Sequence, residues 1–343
     1  MFRLRLIIRI CTSRLKVYHR PMQLGIIKSF KDKKILLIGD AILDIYTYGN
    51  TIGLSLDAPV PEIEEGKSSI FFGGNGLVAS HILELGGILT FITVLGNDED
   101  AKHYDSWTHP KLKKTILTDP TRKTTVKRRW FNSGKKLLQA NQVDNHYLNK
   151  NLEQKVLNHV KKEIKHADIV VVMDPQHGML TKNLIKNLVS LSNKHKKPLY
   201  VDVQVFHRPS NHHLYKGADT MFLNQKEAKS VYPKFNEKNA RESLEAIQKK
   251  LNLKNVVIKL GEKGAVALFG KELIQIGPFK VNAVDVCGAG DAFLAAFSLG
   301  YGNQPEESLK IANIWAALST TIHGTMPPRK KDLIRSLRQR RAK

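Results

Sequence analysis

Residues 284–297, VDVCGAGDAFLAAF, join a loop of small residues to the start of an apolar helix. Gly288, Ala289 and Gly290 form the loop, and Asp291 opens the predicted helix. Backbone N–H groups converge at such a loop and the helix dipole adds positive potential, so the spot suits an anion. Glycine permits the close approach and positive φ that a side chain would obstruct.

A carboxylate beside an anion site indicates phosphoryl transfer. Asp291 is predicted to cap the helix and to take the proton of an attacking hydroxyl. The N–H groups of Gly288, Ala289 and Gly290 would hold the charge on the transferring phosphate. The alternative interpretation of G-A-G-D alone is an Asp-capped helix after a glycine-rich turn. The preceding Asp285 and the following Ala-Phe make the pattern more specific.

The pattern D-x-x-G-A-G-D-A-F at residues 285–293 resembles the signature of the ribokinase-like (PfkB) carbohydrate kinases. The resemblance implies an α/β fold, with a doubly wound, mostly parallel sheet, helices on both faces and a small β-strand lid. It also implies ATP and Mg²⁺ as cofactors and a sugar as acceptor. Helix patterns that alternate with short apolar strands independently favour a parallel sheet, which binds ligands at the carboxyl ends of its strands.

The segments GDAILDIYTYG (39–49) and SLDAPVP (55–61) narrow the resemblance. They are similar to the kinase half of the bacterial enzymes that phosphorylate heptose 7-phosphate at O1 in ADP-heptose and lipopolysaccharide synthesis. Asp40 and Asp44 are then candidates to bind sugar hydroxyls, because a carboxylate can accept two hydroxyl donors. Capping of a turn is the alternative for Asp40. The same resemblance assigns Asp285 to the substrate.

Residues 71–87, FFGGNGLVASHILELGG, resemble the loop that brings backbone close to the sugar. Gly73 and Gly74 correspond to its glycine pair, although a simple helix entry turn would also explain them. The related kinases place an asparagine where this chain has Leu77. Asn75, two residues earlier, is the candidate to replace that asparagine.

Residues 121–144 read as two strands around an Asn-Ser-Gly turn. Lys127 and Arg129 alternate and therefore share one face of their strand. By the resemblance they are expected to bind the phosphate that the substrate already carries; a solvated basic face is the alternative. Strands near 44–70 and 121–142 would form the lid, which is also the expected homodimer interface.

Asn224 and Glu227 match the N-x-x-E motif of the family, whose glutamate holds Mg²⁺ mainly through water. Taken alone, N-x-x-E is equally a helix capping box. Glu227 is nevertheless the one metal-binding residue that we predict.

The nucleotide is expected to meet the segment VVIKLGEKGAVAL (256–268), a strand, tight turn and strand. Gly261 and Gly264 resemble the nucleotide-side turn L-G-x-x-G. Lys259 is expected either to approach a phosphate or to be an exposed lysine. Asn313 matches a position near adenine.

Two segments depart from the pattern of the heptose kinases. Residues 174–178 read D-P-Q-H-G in place of D-Y-G-K-G, and Asp202 is followed by Val203 and Gln204 in place of Pro-Lys. The lost lysine would lie near nucleotide phosphates. Two alternatives therefore stay open: a kinase for another sugar or a nucleoside, and a homologue that binds a sugar phosphate with impaired catalysis.

The net charge of +24 over 343 residues is concentrated at the chain ends. Residues 1–31 carry +8 and residues 329–343 carry +7, which leaves +9 for residues 32–328. We therefore expect a basic extension at 1–31, a kinase domain at 32–328 and a basic tail at 329–343. Basic tails can attract nucleic acid, but no interleaving of aromatic and basic residues predicts a specific nucleic-acid partner.

The N-terminal segment, residues 1–22, is rich in arginine and free of acidic residues. It is interpreted as an over-extended start before Met22, an organelle-targeting presequence or a basic amphipathic anchor. No stretch approaches 18 uninterrupted apolar residues, so no transmembrane span is expected. Two distant cysteines, Cys11 and Cys287, fit a reducing, cytoplasmic compartment. No nucleotidyltransferase H-x-G-H motif occurs, so we expect a kinase that stands alone.

Overall fold

The computed structural model describes residues 25–205 and 210–339, which form two β-sheets flanked by helices. Thirteen strands are present in this part of the chain: β1 Lys34–Ile38, β2 Ala41–Leu54, β3 Pro61–Gly74, β4 Ile88–Leu95, β5 Leu112–Thr118, β6 Val126–Asn132, β7 Lys135–Gln142, β8 Ile169–Asp174, β9 Leu199–Val203, β10 Thr220–Asn224, β11 Asn255–Lys259, β12 Ala265–Phe269 and β13 Glu272–Ile276.

Nine of these strands form the main sheet, in the order β13-β12-β11-β10-β9-β8-β1-β4-β5. The strands from β11 to β5 are parallel, while β12 and β13 continue the edge as an antiparallel hairpin. Buried apolar runs such as KILLI in β1 explain the parallel core, because helices cover both faces of such a sheet. Motif-bearing turns after β9, β10 and β11 consequently meet at one edge.

Ten helices pack around the sheets within the described residues: α1 Gly25–Ser29, α2 Asn75–Leu85, α3 Lys102–Asp105, α4 Lys150–Glu163, α5 Lys182–Lys194, α6 Gln225–Val231, α7 Ala240–Leu251, α8 Ala289–Leu299, α9 Pro305–Ser319 and α10 Lys330–Gln339. One apolar core joins the main sheet to α2, α8, α9 and α10, and a second joins it to α4, α5, α6 and α7. Helices on both faces confirm the predicted doubly wound architecture.

The four remaining strands form a separate small sheet in the order β3-β2-β6-β7. We call it the lid sheet. It contains the segments expected to form the lid, and β6 and β7 turn at Ser133 and Gly134, both with positive φ. That geometry matches a two-residue hairpin turn, so the predicted hairpin is present.

The packed region extends beyond the predicted limits of 32–328 at both ends. Ile26, Ile27 and Phe30 are at most 3 % exposed, so residues 25–31 belong to the core rather than to an extension. Leu333 and Leu337 are buried on one side of α10, so most of the predicted basic tail is a packed amphipathic helix. Residues 1–24 and 340–343, and Met22 with them, lie outside the described residues.

No helix within residues 25–205 and 210–339 is long and apolar enough to cross a bilayer.

Candidate active site

The glycine-rich loop ends at the amino terminus of α8. Gly288 occupies the cap position with φ of 79°, and its carbonyl accepts a hydrogen bond from Ala292 N at 2.9 Å. Asp291 is the third residue of the helix, so the prediction that it caps α8 is wrong. A Cβ on Gly288 would lie 2.3 Å from Leu77 Cδ2, and this close approach is why glycine is needed there.

A cleft of about 1200 Å³ opens at the carboxyl edge of the main sheet beside α8. We call it the large cleft. It gathers ten residues that the sequence analysis selected: Asn224, Glu227, Lys259, Gly261, Gly264, Gly288, Ala289, Gly290, Asp291 and Asn313. Their strands are widely separated in the chain, so their convergence follows from the parallel topology.

Four ionisable side chains meet in the wall of the large cleft. Lys259 Nζ donates a hydrogen bond to Asp202 Oδ2, and Glu227 and Asp291 lie near enough to interact with the lysine. Burial, opposed by Lys259, raises the pKa of Asp202. Burial and then repulsion from Asp202 raise the pKa of Asp291 to about 7. Burial also raises the pKa of Glu227 to about 7. Such shifted carboxyl groups in a cleft are typical of catalytic sites.

The N-x-x-E motif forms a complete capping box at the start of α6. Asn224 Oδ1 accepts a hydrogen bond from Glu227 N at 2.9 Å, and Glu227 Oε2 accepts one from Asn224 N at 2.7 Å. The capping interpretation of this motif is therefore correct. It does not exclude a role in metal binding, because Glu227 also lines the large cleft.

A second depression of about 290 Å³ adjoins the large cleft along the loop that precedes α8. We call it the small pocket. Arg129 and Asp285 line it, together with Lys136 and His323, which the sequence analysis did not select. Asp285 Oδ1 accepts a hydrogen bond from Cys287 N at 3.0 Å, so its carboxylate helps to shape this loop.

Asp44 and Arg129 form a buried ion pair behind the small pocket, which Arg129 lines. Arg129 Nη1 donates to Asp44 Oδ1 at 2.5 Å, and Thr325 Oγ1 donates to Asp44 Oδ2 at 2.9 Å. A Cβ on Gly73 would lie 2.5 Å from Asp44 Oδ2, so Gly73 makes room for this carboxylate. Both oxygens of Asp44 are thus engaged within the protein.

Lys127 stands on the same strand face as Arg129, as predicted, and is half-buried. Burial lowers the pKa of Lys127; Asp44 opposes that shift, Arg129 adds to it, and Asp291 opposes it more weakly. The lysine therefore lies between the lid sheet and the amino terminus of α8.

Asp40 and Asn75 do not line either depression. Asp40 Oδ1 accepts a hydrogen bond from Met179 N at 3.0 Å, and Asn75 Nδ2 donates to Met173 O at 2.6 Å. Gly74 adopts φ of 56° directly before α2. Burial and then repulsion from Asp174 raise the pKa of Asp40 to about 7. Asp40 thus holds a backbone N–H, as in the capping alternative, while Asp40 Oδ2 and Asn75 Oδ1 accept no hydrogen bond within the described residues, so the predicted contact of these two residues with a sugar stays a prediction.

Sequence reasoning missed Thr325 and gave no role to Asp202. Asp202 could have been found, because it lies near the carboxyl end of a buried strand, as Asp40 does. Thr325 offered no signal, since it lies 281 residues from its partner Asp44 in a loop without a motif.

The matching family model, described as pfkB family carbohydrate kinase, covers residues 32–332. The chain belongs to the PfkB family of carbohydrate kinases. The sugar-kinase class predicted from the α8 motif is thereby confirmed. Solved structures of the same fold include Escherichia coli phosphofructokinase-2 in complex with potassium, with a TM-score of 0.74, 18% identity and coverage of 90% of this chain and 98% of that chain.

Arabidopsis thaliana ribokinase complexed with ribose and ATP gives a TM-score of 0.66 at 19% identity, covering 89% of this chain and 98% of that chain. These likenesses confirm the predicted ribokinase-like fold of this PfkB protein. Among curated proteins it is similar to the bifunctional protein HldE of Sulfurimonas denitrificans, with 31% identity over 85% of this chain and 61% of that protein. HldE of Nitratiruptor sp. is 29% identical over 84% of this chain and 61% of its own length. The PfkB chain therefore spans about three-fifths of these relatives.

Proposed function

We propose that this PfkB protein transfers the γ-phosphate of ATP to a hydroxyl of a sugar phosphate, with D-glycero-D-manno-heptose 7-phosphate as acceptor and the 1,7-bisphosphate as product. The position of Asp291 carries the proposal. Asp291 is 8 % exposed in the first turn of α8, where it lines the large cleft, and the loop that leads into this helix, residues 285–287, lines the small pocket. A base in that position can meet an acceptor from one side and a phosphate from the other.

In the proposed complex, ATP occupies the large cleft. Gly261 and Gly264 turn the chain at one wall of the cleft, and Asn313 of α9 also lines it. Asn313 Nδ2 donates to Gly277 O at 3.0 Å, which fixes the amide close to the Gly264 turn, and by the family resemblance this is where we expect adenine. The first turn of α8 receives the triphosphate, because a helix amino terminus favours an anion.

The residues of the large cleft fit a Mg²⁺ ion that keeps most of its waters. No group of three His, Cys, Asp or Glu side chains able to hold a metal is found among residues 25–205 and 210–339. Mg²⁺ commonly uses one or two carboxylates, waters and substrate phosphates, so Glu227 at the cleft wall is sufficient. When bound, the ion would neutralise part of the phosphate charge.

The acceptor is proposed to lie at the small pocket and beneath the lid sheet. Asp291 takes the proton of the acceptor hydroxyl, and the N–H groups of Gly288, Ala289 and Gly290 stabilise the charge on the transferring phosphate. Asp44 orients the sugar after exchanging a hydrogen bond from Arg129 or Thr325 for one from a hydroxyl. Asp40 and Asn75 each hold a backbone group on this side of the site.

A phosphorylated acceptor suits the charges around the small pocket. Arg129, Lys136 and His323 line it, and Lys127 stands beside Arg129 on β6. Arginine and lysine are the usual partners of phosphate groups. The similarity to the HldE proteins and the segments GDAILDIYTYG and SLDAPVP support heptose 7-phosphate among the possible sugar phosphates.

A second candidate function is phosphorylation of another sugar or of a nucleoside. Leu77 favours it, because its side chain fills the space beside Gly288 where the heptose kinases carry an asparagine. Leu77 cannot form a hydrogen bond, so it offers a sugar only apolar contact. A homologue that binds a sugar phosphate without turnover is the remaining alternative.

The proposed function is tested by ADP release from MgATP with a panel of acceptors. We expect the fastest turnover with heptose 7-phosphate and a fall of roughly 10- to 100-fold in kcat/KM with unphosphorylated heptose, because the lost contacts are charge-assisted. Lys127→Met should lose efficiency only toward the phosphorylated sugar. Adenosine as the best acceptor would overturn the heptose assignment, and ATP binding without turnover on any acceptor would favour the binding homologue.

We also propose that two copies of the chain pair through the lid sheet. Seven large apolar side chains on this sheet and its β2–β3 loop are 42–102 % exposed: Ile52, Leu54, Leu56, Val60, Ile70, Leu137 and Leu138. Clustered exposed apolar residues are typical of an interaction surface.

Light scattering is expected to give twice the mass of one chain. Substituting Leu56→Asp together with Leu138→Asp should yield single chains, because burying two carboxylates in an interface is unfavourable. Tyr147→Asp, at an exposed aromatic residue outside the lid sheet, is the matched control and should stay paired. Single wild-type chains at high protein concentration would contradict this proposal.

A further inference from the structure

Lys259 is a cation held inside the large cleft. It ends β11, and its side chain is 15 % exposed. A Cβ placed on Gly290 would lie 3.2 Å from Lys259 Nζ, so the ammonium group stands directly against the first turn of α8. The other two lysines that line the cleft, Lys263 and Lys280, are exposed.

Asp202 holds this lysine in place from two strands away. The carboxylate, 3 % exposed, belongs to the next-to-last residue of β9, and β10 lies between β9 and the strand of Lys259 in the sheet. Their ion pair therefore spans the carboxyl edge of the sheet at the height of the α8 amino terminus. A lysine has three N–H donors, so bonding to Asp202 leaves two for a ligand.

The surrounding charges keep the lysine protonated. Burial by itself lowers the pKa of Lys259, but Asp202, Glu227 and Asp291 together outweigh burial and raise that pKa. The cleft wall thus presents a cation that stays charged although it is largely removed from water. An exposed lysine would be more strongly hydrated and less well positioned.

The position of the ammonium group identifies the part of ATP that it would meet. The base Asp291 must lie within hydrogen-bond reach of the acceptor hydroxyl, and that hydroxyl attacks the γ-phosphorus in line. Lys259 Nζ stands beside the residue that precedes this base. It is therefore nearer to the γ-phosphoryl group than to the α-phosphate or the nucleoside.

We infer that Lys259 is a catalytic residue that donates a hydrogen bond to an oxygen of the transferring γ-phosphoryl group, and that Asp202 is the positioning residue that aims it. This inference rests on the proposed phosphoryl transfer and assigns a role to a residue pair that the function did not require. It also supplies the positive charge that Gln204 cannot provide after β9.

The step balances without any further reactant. The acceptor oxygen forms the new O–P bond and its proton passes to the Asp291 carboxylate. The bond between the γ-phosphorus and the β–γ bridging oxygen breaks, and ADP leaves with the electron pair. Lys259 keeps its proton throughout and stabilises charge on an equatorial oxygen.

The inference is tested first by nucleotide binding, which needs no acceptor. Isothermal titration of the full chain with MgADP and with Mg²⁺ and the ATP analogue AMP-PNP gives the preference for a γ-phosphoryl group. Lys259→Met should reduce that preference by roughly 10- to 100-fold, because a charge-assisted hydrogen bond to the γ-phosphoryl group is lost. Lys113→Met, at a lysine outside both depressions that pairs with the buried carboxylate of Glu163 at 2.7 Å, is the matched control and should retain the preference.

A double variant guards against misfolding. Lys259→Met alone leaves Asp202 buried without its partner, which can destabilise the protein. Lys259→Met combined with Asp202→Asn removes both charges, and it should fold, bind MgADP as the wild type does and lack the preference for AMP-PNP. An unchanged preference in the folded double variant would overturn the inference.

The pH dependence of kcat/KM separates the proposed roles from simple loss of an ion pair. Asp291 faces Asp202 and Lys259 from the main sheet and Asp44 and Lys127 from the lid sheet. Asp202→Asn removes the repulsion between the Asp202 and Asp291 carboxylates, so the rise of kcat/KM on the acid side of the pH profile should move to lower pH. Lys259→Met removes the attraction between the ammonium group and Asp291, so that rise should move to higher pH. Both variants should lower kcat, by roughly 10²- to 10³-fold for Lys259→Met.

Shifts of this rise in the same direction for both variants would contradict the assigned roles. Lys259→Arg should recover part of kcat, since it restores the charge. Failure of the wild type to bind either nucleotide would instead contradict the proposed function, so the two failures are distinguishable.

Discussion

Asp291→Asn is expected to lower turnover by roughly 10²- to 10⁴-fold, the usual contribution of a general base. The amide cannot take the proton of the acceptor hydroxyl. Binding of ATP should be unchanged or slightly tighter, because a negative charge leaves the phosphate site. The measurements are kcat with a sugar phosphate and calorimetric titration with MgATP. Asp332→Asn, in the first turn of α10 and outside both depressions, is the matched control and should keep full activity.

The same variant should change how stability depends on pH. The pKa of Asp291 is raised from 3.8 to about 7 in the folded protein, so the folded state binds the extra proton between those values. The contribution that the Asp291 carboxyl group makes to the free energy of unfolding is therefore fully present below pH 4 and is lost as pH rises through 7. At pH 8, Asp291→Asn should therefore unfold less readily than the wild type, by up to about 4 kcal/mol.

In the wild type, kcat/KM should rise with pH through about 7, as Asp291 loses its proton. An Asp291→Asn variant that keeps more than a tenth of wild-type turnover would exclude this residue as the base. A variant that loses both turnover and ATP binding would point to a structural defect.

Gly288→Ala is expected to remove most activity and to destabilise the protein. The added methyl group would stand 2.3 Å from Leu77 Cδ2, and the backbone at φ of 79° already disfavours a side chain. The strain of a left-handed alanine costs about 1–2 kcal/mol, and overpacking against a buried leucine costs about 1–3 kcal/mol more. Because the cap of α8 must shift, the anion loop moves away from the phosphate, and a displacement of this kind can cost about 10²-fold in rate.

Two variants separate the steric clash from the backbone conformation. Gly270→Ala, at φ of 57° in the turn between β12 and β13, has no atom within 4 Å of the added methyl group and should show the backbone cost alone. Leu77→Ala combined with Gly288→Ala removes the clash, so its loss of stability should be smaller than the sum of the single losses. Thermal unfolding and kcat are measured for five proteins: the wild type, Gly288→Ala, Gly270→Ala, Leu77→Ala and the double variant. A Gly288→Ala protein as stable and active as Gly270→Ala would show that Leu77 does not constrain the loop.

Local sequence was sufficient to predict the doubly wound sheet and to select the residues that line the large cleft. Short apolar runs alternate with amphipathic helices, and few folds other than a doubly wound sheet are compatible with that pattern. The turns after β10 and β11 and the loop before α8 carry their residues within a few positions of a strand end. Parallel topology then brings strand ends to one edge, so ten selected residues meet without further information.

Side-chain direction was less accessible to sequence reasoning. Asp40 lies between β1 and β2, and Asp44 lies four residues later in β2, yet only Asp44 pairs with Arg129 of the lid sheet. The loop that contains Met179 covers Asp40, and the backbone N–H of Met179 donates a hydrogen bond to one oxygen of the Asp40 carboxylate. A motif cannot indicate this, because the loop comes from a segment 139 residues later in the chain.

The predicted cap at Asp291 failed for a related reason. The sequence G-A-G-D allows a helix to begin at more than one residue. Because Leu77 packs against Gly288, α8 begins at Ala289, directly after Gly288, and not after a cap at Asp291. The extended limits of the domain depend in the same way on Phe30 and Leu333, whose burial requires neighbours from distant segments.

The α8 motif and the doubly wound, mostly parallel sheet were thus readable from the chain, since they depend on neighbours in sequence and on period. The ion pairs of Asp44 with Arg129 and of Lys259 with Asp202 were decided by the tertiary structure. Their partners lie 85 and 57 residues apart, and charge pairing at that separation depends on which strands become neighbours and on how deeply each group is buried. Residue type identifies a candidate acid or cation, whereas burial and partners determine which proton it holds and what it can bind.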